Sequence, residues 1–244
     1  MPKFFVDREL ISDVSVTLMG DDAYHIARAL RMAVGDEINV SDGNGRELVC
    51  RLTKIRDNEC TADIISECEV SAESPVDITL FMAMPKGDKL ETVVQKAVEL
   101  GALCVVPFES ERCIKRPSPE KAAKLTERLT RIAREAAKQC GRSRLPEVGT
   151  LISLTEMTDR LASFDLAIFC YENEGDVTLK GVLEGASSVK TVAVIVGSEG
   201  GFSPTEAERI KASGGISVGL GPRILRCETA PDYALSVLSY HFEL

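Results

Sequence analysis

From residue 78 onward, short apolar runs alternate with stretches of helical periodicity, and this alternation limits the chain's fold more than any other feature. Ile78 to Ala83, Cys104 to Phe108, Leu166 to Cys170, Val192 to Val196 and Ile216 to Leu220 are runs of strand length bounded by turn residues. Between them lie Leu90 to Leu100 and a longer segment from about Pro119 to Cys140 in which Leu125, Leu129, Ile132 and Ala136 recur at helical spacing. Runs that are apolar throughout suit strands buried on both faces, and helices between them supply the crossovers that parallel strands need. An α/β domain with a mostly parallel sheet is therefore expected over residues 75–244.

The first seventy or so residues have a different texture. Glu37-Ile38-Asn39-Val40 and Leu48-Val49-Cys50-Arg51-Leu52 flank the turn signal Asp42-Gly43-Asn44-Gly45, which predicts a hairpin within a small barrel. Ala23 to Met32 is helical in pattern and brings His25, Arg28 and Arg31 together ahead of the Val34-Gly35-Asp36 turn. A polar break at Ser71-Ala72-Glu73-Ser74-Pro75 marks the boundary, giving domains 1–72 and 75–244.

Charge narrows the function classes. The chain carries a net −9, which argues against nonspecific coating of nucleic acid. Arg112 through Arg144 runs against that average, with eleven basic residues and three acids, or about +8. Lys124, Arg128, Arg131, Arg134 and Lys138 fall on one arc of the long helix, a basic stripe suited either to a polyanion or to plain solvation. The eight cysteines are scattered without a C-x-x-C pair and there are two histidines, so reduced thiols, no metal site and a cytoplasmic setting are expected. No run approaches the ~18 apolar residues of a membrane span, and no signal peptide is expected.

The chemistry concentrates between Val192 and Ala230. Val192 to Val196 leads into Gly197-Ser198-Glu199-Gly200-Gly201-Phe202, and Ser203-Pro204-Thr205-Glu206 then reads as a capping box with proline at the first helical position. The pattern recurs with Ile216 to Leu220, then Gly221-Pro222-Arg223-Ile224-Leu225-Arg226-Cys227-Glu228-Thr229-Ala230, and a helix from Pro231. Two irregular loops thus leave the carboxyl ends of two strands, where open α/β sheets bind ligands. G-x-G-x-x-G is missing, and Pro85-Lys86-Gly87-Asp88-Lys89 lacks Walker A spacing, so a nucleoside cofactor without a pyrophosphate fits better than a dinucleotide.

Several motifs in order along the chain are similar to those of one family. They are Tyr24-His25-Ile26-Ala27-Arg28-Ala29-Leu30-Arg31, Lys86-Gly87-Asp88-Lys89, Gln95 through Gly101, Glu135-Ala136-Ala137-Lys138-Gln139-Cys140-Gly141-Arg142 with Pro146, Gly197-Ser198-Glu199-Gly200-Gly201, and Leu220 through Ala230. Together they resemble the RsmE family of small-subunit ribosomal RNA methyltransferases, within the SPOUT superfamily, which methylate N3 of a uridine. Ser198 stands where that family commonly has Pro, and Cys227 where it commonly has Thr.

The resemblance implies a PUA-like RNA-binding β-barrel at the N-terminus, a C-terminal SPOUT domain with a deep trefoil knot, S-adenosyl-L-methionine as methyl donor, and a homodimer. Gly197, Glu199, Gly200, Leu220, Gly221, Ile224 and Leu225 are then expected to form the cofactor pocket. Arg223 or Arg226 would stabilise the developing uracil anion, and Glu199 or Glu228 would help remove the proton. Arg226 and Glu228 could instead form an internal ion pair that shapes their loop. RNA contacts are expected at His25, Arg28, Arg31, Arg128, Arg131, Lys138 and Arg142, although the first three could instead cap their own helix. A SPOUT enzyme acting on a ribose hydroxyl or on transfer RNA, or a non-catalytic RNA-binding assembly factor, are the alternatives that stay open.

Overall fold

The computed structural model describes residues 1–68, 72–186 and 188–244. Ser71, within the polar break read as a boundary, and residues 69 and 70 of the expected 1–72 domain lie outside the described residues. The chain forms two compact units, Met1–Glu73 with Ala137–Leu145, and Ser74–Ala136 with Pro146–Leu244. The sequence break did not reveal that Ala137–Leu145 joins the first unit.

In the first unit, β1 (Lys3–Phe5), β2 (Ser15–Met19), β3 (Glu37–Ser41), β4 (Glu47–Ile55) and β5 (Glu59–Glu67) form a sheet in the order β1-β3-β4-β5-β2. All its pairings are antiparallel except β1 with β3. Alternate residues Val16, Leu18, Ile38, Val40, Leu48, Cys50 and Leu52 are buried in one core, as a one-faced sheet requires. Two register shifts along β4 and β5 add the bends that curl the sheet. The expected β3–β4 hairpin is present, its turn fixed by the Asp42 carboxylate, which accepts from the backbone N–H of Asn44 (2.8 Å) and Arg46 (3.1 Å).

The helix expected over residues 23–32 differs in kind. A short α1 (Gly20–Tyr24) runs into a π-helical turn, His25–Ala29, and the segment ends with Arg31 at φ 51°. Left-handed backbone is unusual for arginine and marks local strain.

The segment Ala137–Leu145 is bound into this unit by buried charge. Glu73 accepts from Arg142 Nε (3.1 Å) and Nη2 (2.7 Å), and from the backbone N–H of Ser143 (2.8 Å) and Arg144 (2.9 Å). Lys3, also buried, donates to Glu47 (2.8 Å) and to the Gly141 carbonyl (2.7 Å). Buried charges persist when they are paired in this way.

In the second unit, β6 (Asp77–Ala83), α2 (Lys89–Glu99), β7 (Ala102–Glu109), α3 (Pro119–Cys140), β8 (Glu147–Val148), β9 (Ile152–Ser153), α4 (Leu154–Arg160), β10 (Leu166–Cys170), α5 (Leu179–Leu183), β11 (Thr191–Val196), α6 (Pro204–Ala212), β12 (Ile216–Val218) and α7 (Thr229–Glu243) follow in order, α3 giving its last turn to the first unit. The sheet runs β12-β10-β11-β6-β7-β8, and every pairing is parallel; β9 extends β7. The apolar runs read from the sequence are its strands, while β8, β9, α4 and α5 are too short to have stood out.

α2 buries Leu90, Val93, Val94, Ala97 and Val98, one stripe at i, i+3, i+4, i+7 and i+8, and packs against β7 and α7. Phe202 stacks on Phe108 (6.4 Å between centroids) and meets Phe169 edge-on (6.0 Å), anchoring the segment after β11 to the core. On α3, Leu129 and Ala136 are buried as expected, whereas Leu125 and Ile132 are half-buried. Beyond β12 the chain returns past β10 so that α7 packs on β11 and α2, the kind of crossing that the expected knot requires. Among the described residues, no helix is long and apolar enough to cross a membrane.

Candidate active site

The carboxyl ends of β10, β11 and β12 meet at a cleft of about 660 Å³. It lies within the second unit, at the sheet edge where backbone polar groups are left unpaired by strands. After β11, the chain turns sharply: the Gly201 N–H donates to the Ser198 carbonyl (2.9 Å), and Gly201 has φ +62°. That left-handed backbone favours glycine, whereas a Cβ there would meet only the Glu172 carboxylate, the movable end of a flexible side chain. The capping box forms as read: Ser203 Oγ accepts from the Glu206 N–H (3.3 Å), and the Glu206 carboxylate accepts from the Ser203 N–H (2.9 Å). Glu206 is buried and also takes the Glu111 N–H (2.7 Å). Arg112 reaches back to donate to the Gly200 carbonyl (2.7 Å).

The second loop starts at Gly219, whose N–H donates to the Val177 carbonyl (2.8 Å); a Cβ there would lie 2.6 Å from the Glu174 carbonyl oxygen. Gly221 to Ile224 are exposed and Leu225 is half-buried. The Arg226 carbonyl then accepts from the N–H groups of Thr229 and Ala230 (2.9 Å each), opening α7.

All seven expected cofactor residues, Gly197, Glu199, Gly200, Leu220, Gly221, Ile224 and Leu225, line this one cleft, and Arg223, Arg226 and Glu228 line it too. The ion pair considered between Arg226 and Glu228 is not formed. Glu228 binds Lys89 instead (3.0 Å), and the Arg226 side chain makes no ion pair or hydrogen bond among the described residues.

Lys89, at the start of α2, also binds Glu199 (3.0 Å), and the Lys86 N–H donates to both oxygens of that carboxylate (3.1 and 3.3 Å). Burial pushes the Glu199 carboxyl up, but its own N–H, Lys89 and the Lys86 N–H outweigh this and hold it below the usual range. Glu228 is held at about 2 by its own backbone N–H and then by Lys89. Cys227 donates to Glu228 (3.2 Å), and its thiol is pushed up to about 12, first by burial and then by that acceptor. A carboxylate held so low is a weak base at neutral pH, which counts against Glu228 as the proton acceptor.

Lys89, Glu172, Glu174 and Ser198 also line the cleft and were not among the expected site residues. Lys89 sat in a motif that lacked phosphate-loop spacing and counted only toward the family resemblance, with no role given to the lysine, and its partners are 110 and 139 residues away in the chain. Glu172 and Glu174 follow β10 and line the same edge, so the strand-end rule that selected the two glycine loops extends to them. Ser198 is 6% exposed, and its hydroxyl has no hydrogen-bond partner among the described residues.

The residues expected to meet RNA are more dispersed in their roles. Arg28 forms an exposed pair with Asp57 (2.6 Å), and the exposed His25 sits edge-on to Phe4. Arg31 is exposed, as is Arg131; Arg128 pairs with Glu91 and Asp88. Lys138 and Arg142, both expected to contact RNA, are instead engaged by carboxylates of the first unit. Lys138 binds Asp22 (2.9 Å) with its side chain 15% exposed, and Arg142 is buried against Glu73. Both serve the first unit's own cohesion, because burial in water-poor surroundings favours pairing over hydration. Among the described residues, no three His, Cys, Asp or Glu side chains are placed to hold a metal ion.

The cleft suits a nucleoside with an attached amino acid. Its volume falls in the ~300–1,000 Å³ range of small-ligand sites. Val196, Leu220 and Leu225 offer apolar walls, loop backbone offers donors and acceptors, and the Ser198 hydroxyl awaits a partner. Those features accommodate S-adenosylmethionine.

Comparison with known proteins agrees with this reading. Residues 72–239 match the model of an RNA methyltransferase domain, and residues 18–65 that of an RNA methyltransferase PUA domain. The chain is 33% identical over 251 residues to ribosomal RNA small subunit methyltransferase E of Bacillus subtilis, covering 100% of this chain and 98% of that protein. It is 31% identical to the protein of that name from Synechocystis, covering 97% of this chain and 77% of that one. Among solved structures, the Neisseria gonorrhoeae ribosomal RNA small subunit methyltransferase E bound to S-adenosyl methionine superposes with a TM-score of 0.87 at 32% identity, covering 98% of this chain and 97% of the other. A Legionella pneumophila methyltransferase in complex with the same cofactor gives 0.86 at 31% identity, with 98% and 96% covered.

Proposed function

The chain belongs to the ribosomal RNA small subunit methyltransferase E family, and on that footing we propose that it methylates N3 of a uridine in small-subunit ribosomal RNA with S-adenosylmethionine as donor. The observation that carries this reading is the convergence of the Gly197–Gly201 and Leu220–Glu228 loops on one cleft. When bound, the cofactor supplies a methyl group activated on a sulfonium.

The chain's own residues do the rest. Gly197, Glu199, Gly200, Leu220, Gly221, Ile224 and Leu225 hold the donor through loop backbone and apolar contact. Arg226, whose side chain has no protein partner among the described residues, and Arg223 beside it stabilise the negative charge that uracil gains when N3 loses its proton. Glu199 and Glu228 are ionised, as a base must be, but both are held below the usual range and are weak bases, so the N3 proton passes to solvent water rather than to either carboxylate. Holding base and donor in line supplies much of the rate.

RNA is held on the first unit by His25, Arg28 and Arg31, and on the second by Arg128 and Arg131. An unstacked target is favoured, because an N3 inside a helix is already paired. We place the protein in the cytoplasm as a homodimer; the exposed Tyr233 and Tyr240 of α7 are consistent with a covered face in the dimer.

The test is incubation with labelled S-adenosylmethionine and small ribosomal subunits from cells lacking this protein, followed by nucleoside mass analysis. Label in 3-methyluridine is expected. Label on a ribose or on another base, or none at all, would overturn the assignment.

A further inference from the structure

Lys89 occupies an electrostatically odd position. It is the first residue of α2, where the helix dipole favours an acid over a cation, and its N-cap Asp88 makes no side-chain capping bond. Helix stability therefore does not account for a lysine here. Its ammonium instead lies 3.0 Å from Glu199 Oε1 and 3.0 Å from Glu228 Oε2, with the three side chains only 26–33% exposed. Glu199 belongs to the loop after β11 and Glu228 to the loop after β12, so one cation joins the two walls of the cleft. The same short segment adds the Lys86 N–H to Glu199.

We propose that Lys89 is a positioning residue that fixes the spacing and register of the two cofactor loops by bridging their carboxylates. The proposal rests on the cleft being the S-adenosylmethionine site. Because both oxygens contact one nitrogen, they lie within roughly 6 Å of each other, a separation at which two carboxylates repel and one tends to take up a proton. Without the ammonium, the loops spread or one acid becomes neutral. Either change alters the walls that the donor must fit, although Lys89 need not touch the donor.

Isothermal titration calorimetry with S-adenosylmethionine on wild type, Lys89→Met and Lys89→Arg tests this, with ligand-free melting curves alongside. Wild type should bind. Lys89→Met should bind at least tenfold more weakly and should gain a dependence of affinity on pH between about 5 and 7 that wild type lacks, because a carboxylate freed of its counterion titrates higher. Lys89→Arg, able to span both acids, should recover affinity to within threefold. Binding by Lys89→Met within twofold of wild type, or a loss without a new pH dependence and without rescue by Arg, would overturn the bridge while leaving the cleft assignment intact. Failure of wild type to bind would overturn the cleft assignment itself. If Lys89→Met does not fold, Glu228→Gln decides: at least a fivefold loss with Lys89→Arg near wild type supports the bridge, and unchanged affinity in both refutes it.

Discussion

Replacing Glu73 with Gln keeps the side chain's size and removes its charge, which isolates the worth of the buried ion pair in the first unit. One oxygen of Glu73 takes both Arg142 bonds (3.1 and 2.7 Å) and the other takes two backbone N–H groups (2.8 and 2.9 Å). Glutamine can retain the backbone bonds through its carbonyl, but its NH2 then faces the guanidinium, donor against donor. Two charge-assisted bonds at about 1.5–3 kcal/mol each are lost, for a total of roughly 3–6 kcal/mol. Breaking a buried pair gives a similar figure, about 3–5 kcal/mol; at 4% and 9% side-chain exposure, screening by water takes little from it. Urea denaturation should report this loss in the transition of the first unit, while Glu67→Gln, which breaks the exposed pair with Arg46, should change stability by about 0.5 kcal/mol or less. A Glu73→Gln loss below about 1 kcal/mol would refute the reasoning. The pH dependence has a definite sign. Burial pushes the Glu73 carboxyl up, yet Arg142 and the two N–H groups outweigh it and leave the group below its ordinary 4.5. Its contribution is therefore complete above the unfolded value and is lost as pH falls through the lower folded value. In Glu73→Gln, that acid-side loss should disappear.

Other substitutions probe the cleft and the RNA contacts. Ser198→Ala removes a buried hydroxyl that has no protein partner among the described residues, so ligand-free stability should rise by up to about 1 kcal/mol while S-adenosylmethionine affinity falls several-fold, as melting curves and calorimetry will show; unchanged affinity would mean that the hydroxyl does not meet the donor. Arg226→Ala should lower single-turnover methylation by about 100-fold or more and leave cofactor affinity within threefold, whereas equal losses in both would make Arg226 structural. Arg128→Ala with Arg131→Ala should flatten the salt dependence of RNA binding, reducing the log–log slope by about 1.4 if each arginine meets one phosphate of a single strand; an unchanged slope would remove the stripe as a contact surface.

Most of the parallel sheet was legible because its longer buried strands announce themselves as apolar runs ending at a turn, as Val192 to Gly197 does, whereas the two-residue β8 and β9 carry no such signal. The two loops that line the cleft were legible for the same reason, since strand ends and glycines are local signals. What stayed hidden was set by partners distant in the chain. Nothing near Lys89 predicts that it will meet Glu199 and Glu228, and Arg142, expected to contact RNA, is buried against Glu73, which is 69 residues away in the chain. The π-helical turn at His25–Ala29 was equally opaque, because its sequence is compatible with an ordinary helix and only surrounding packing selects the wider turn.

The return of the chain from β12 to α7 fixes when the site can first exist. A polypeptide emerging from its amino end completes β6, β10 and β11, and with them the Gly197–Gly201 turn, before Gly219 to Glu228 have been made. A nascent chain halted at β12 would thus own one jaw of the vice and none of the other. Affinity for the methyl donor should arise late, in a single step, as the last crossing segment settles over strands that have already folded.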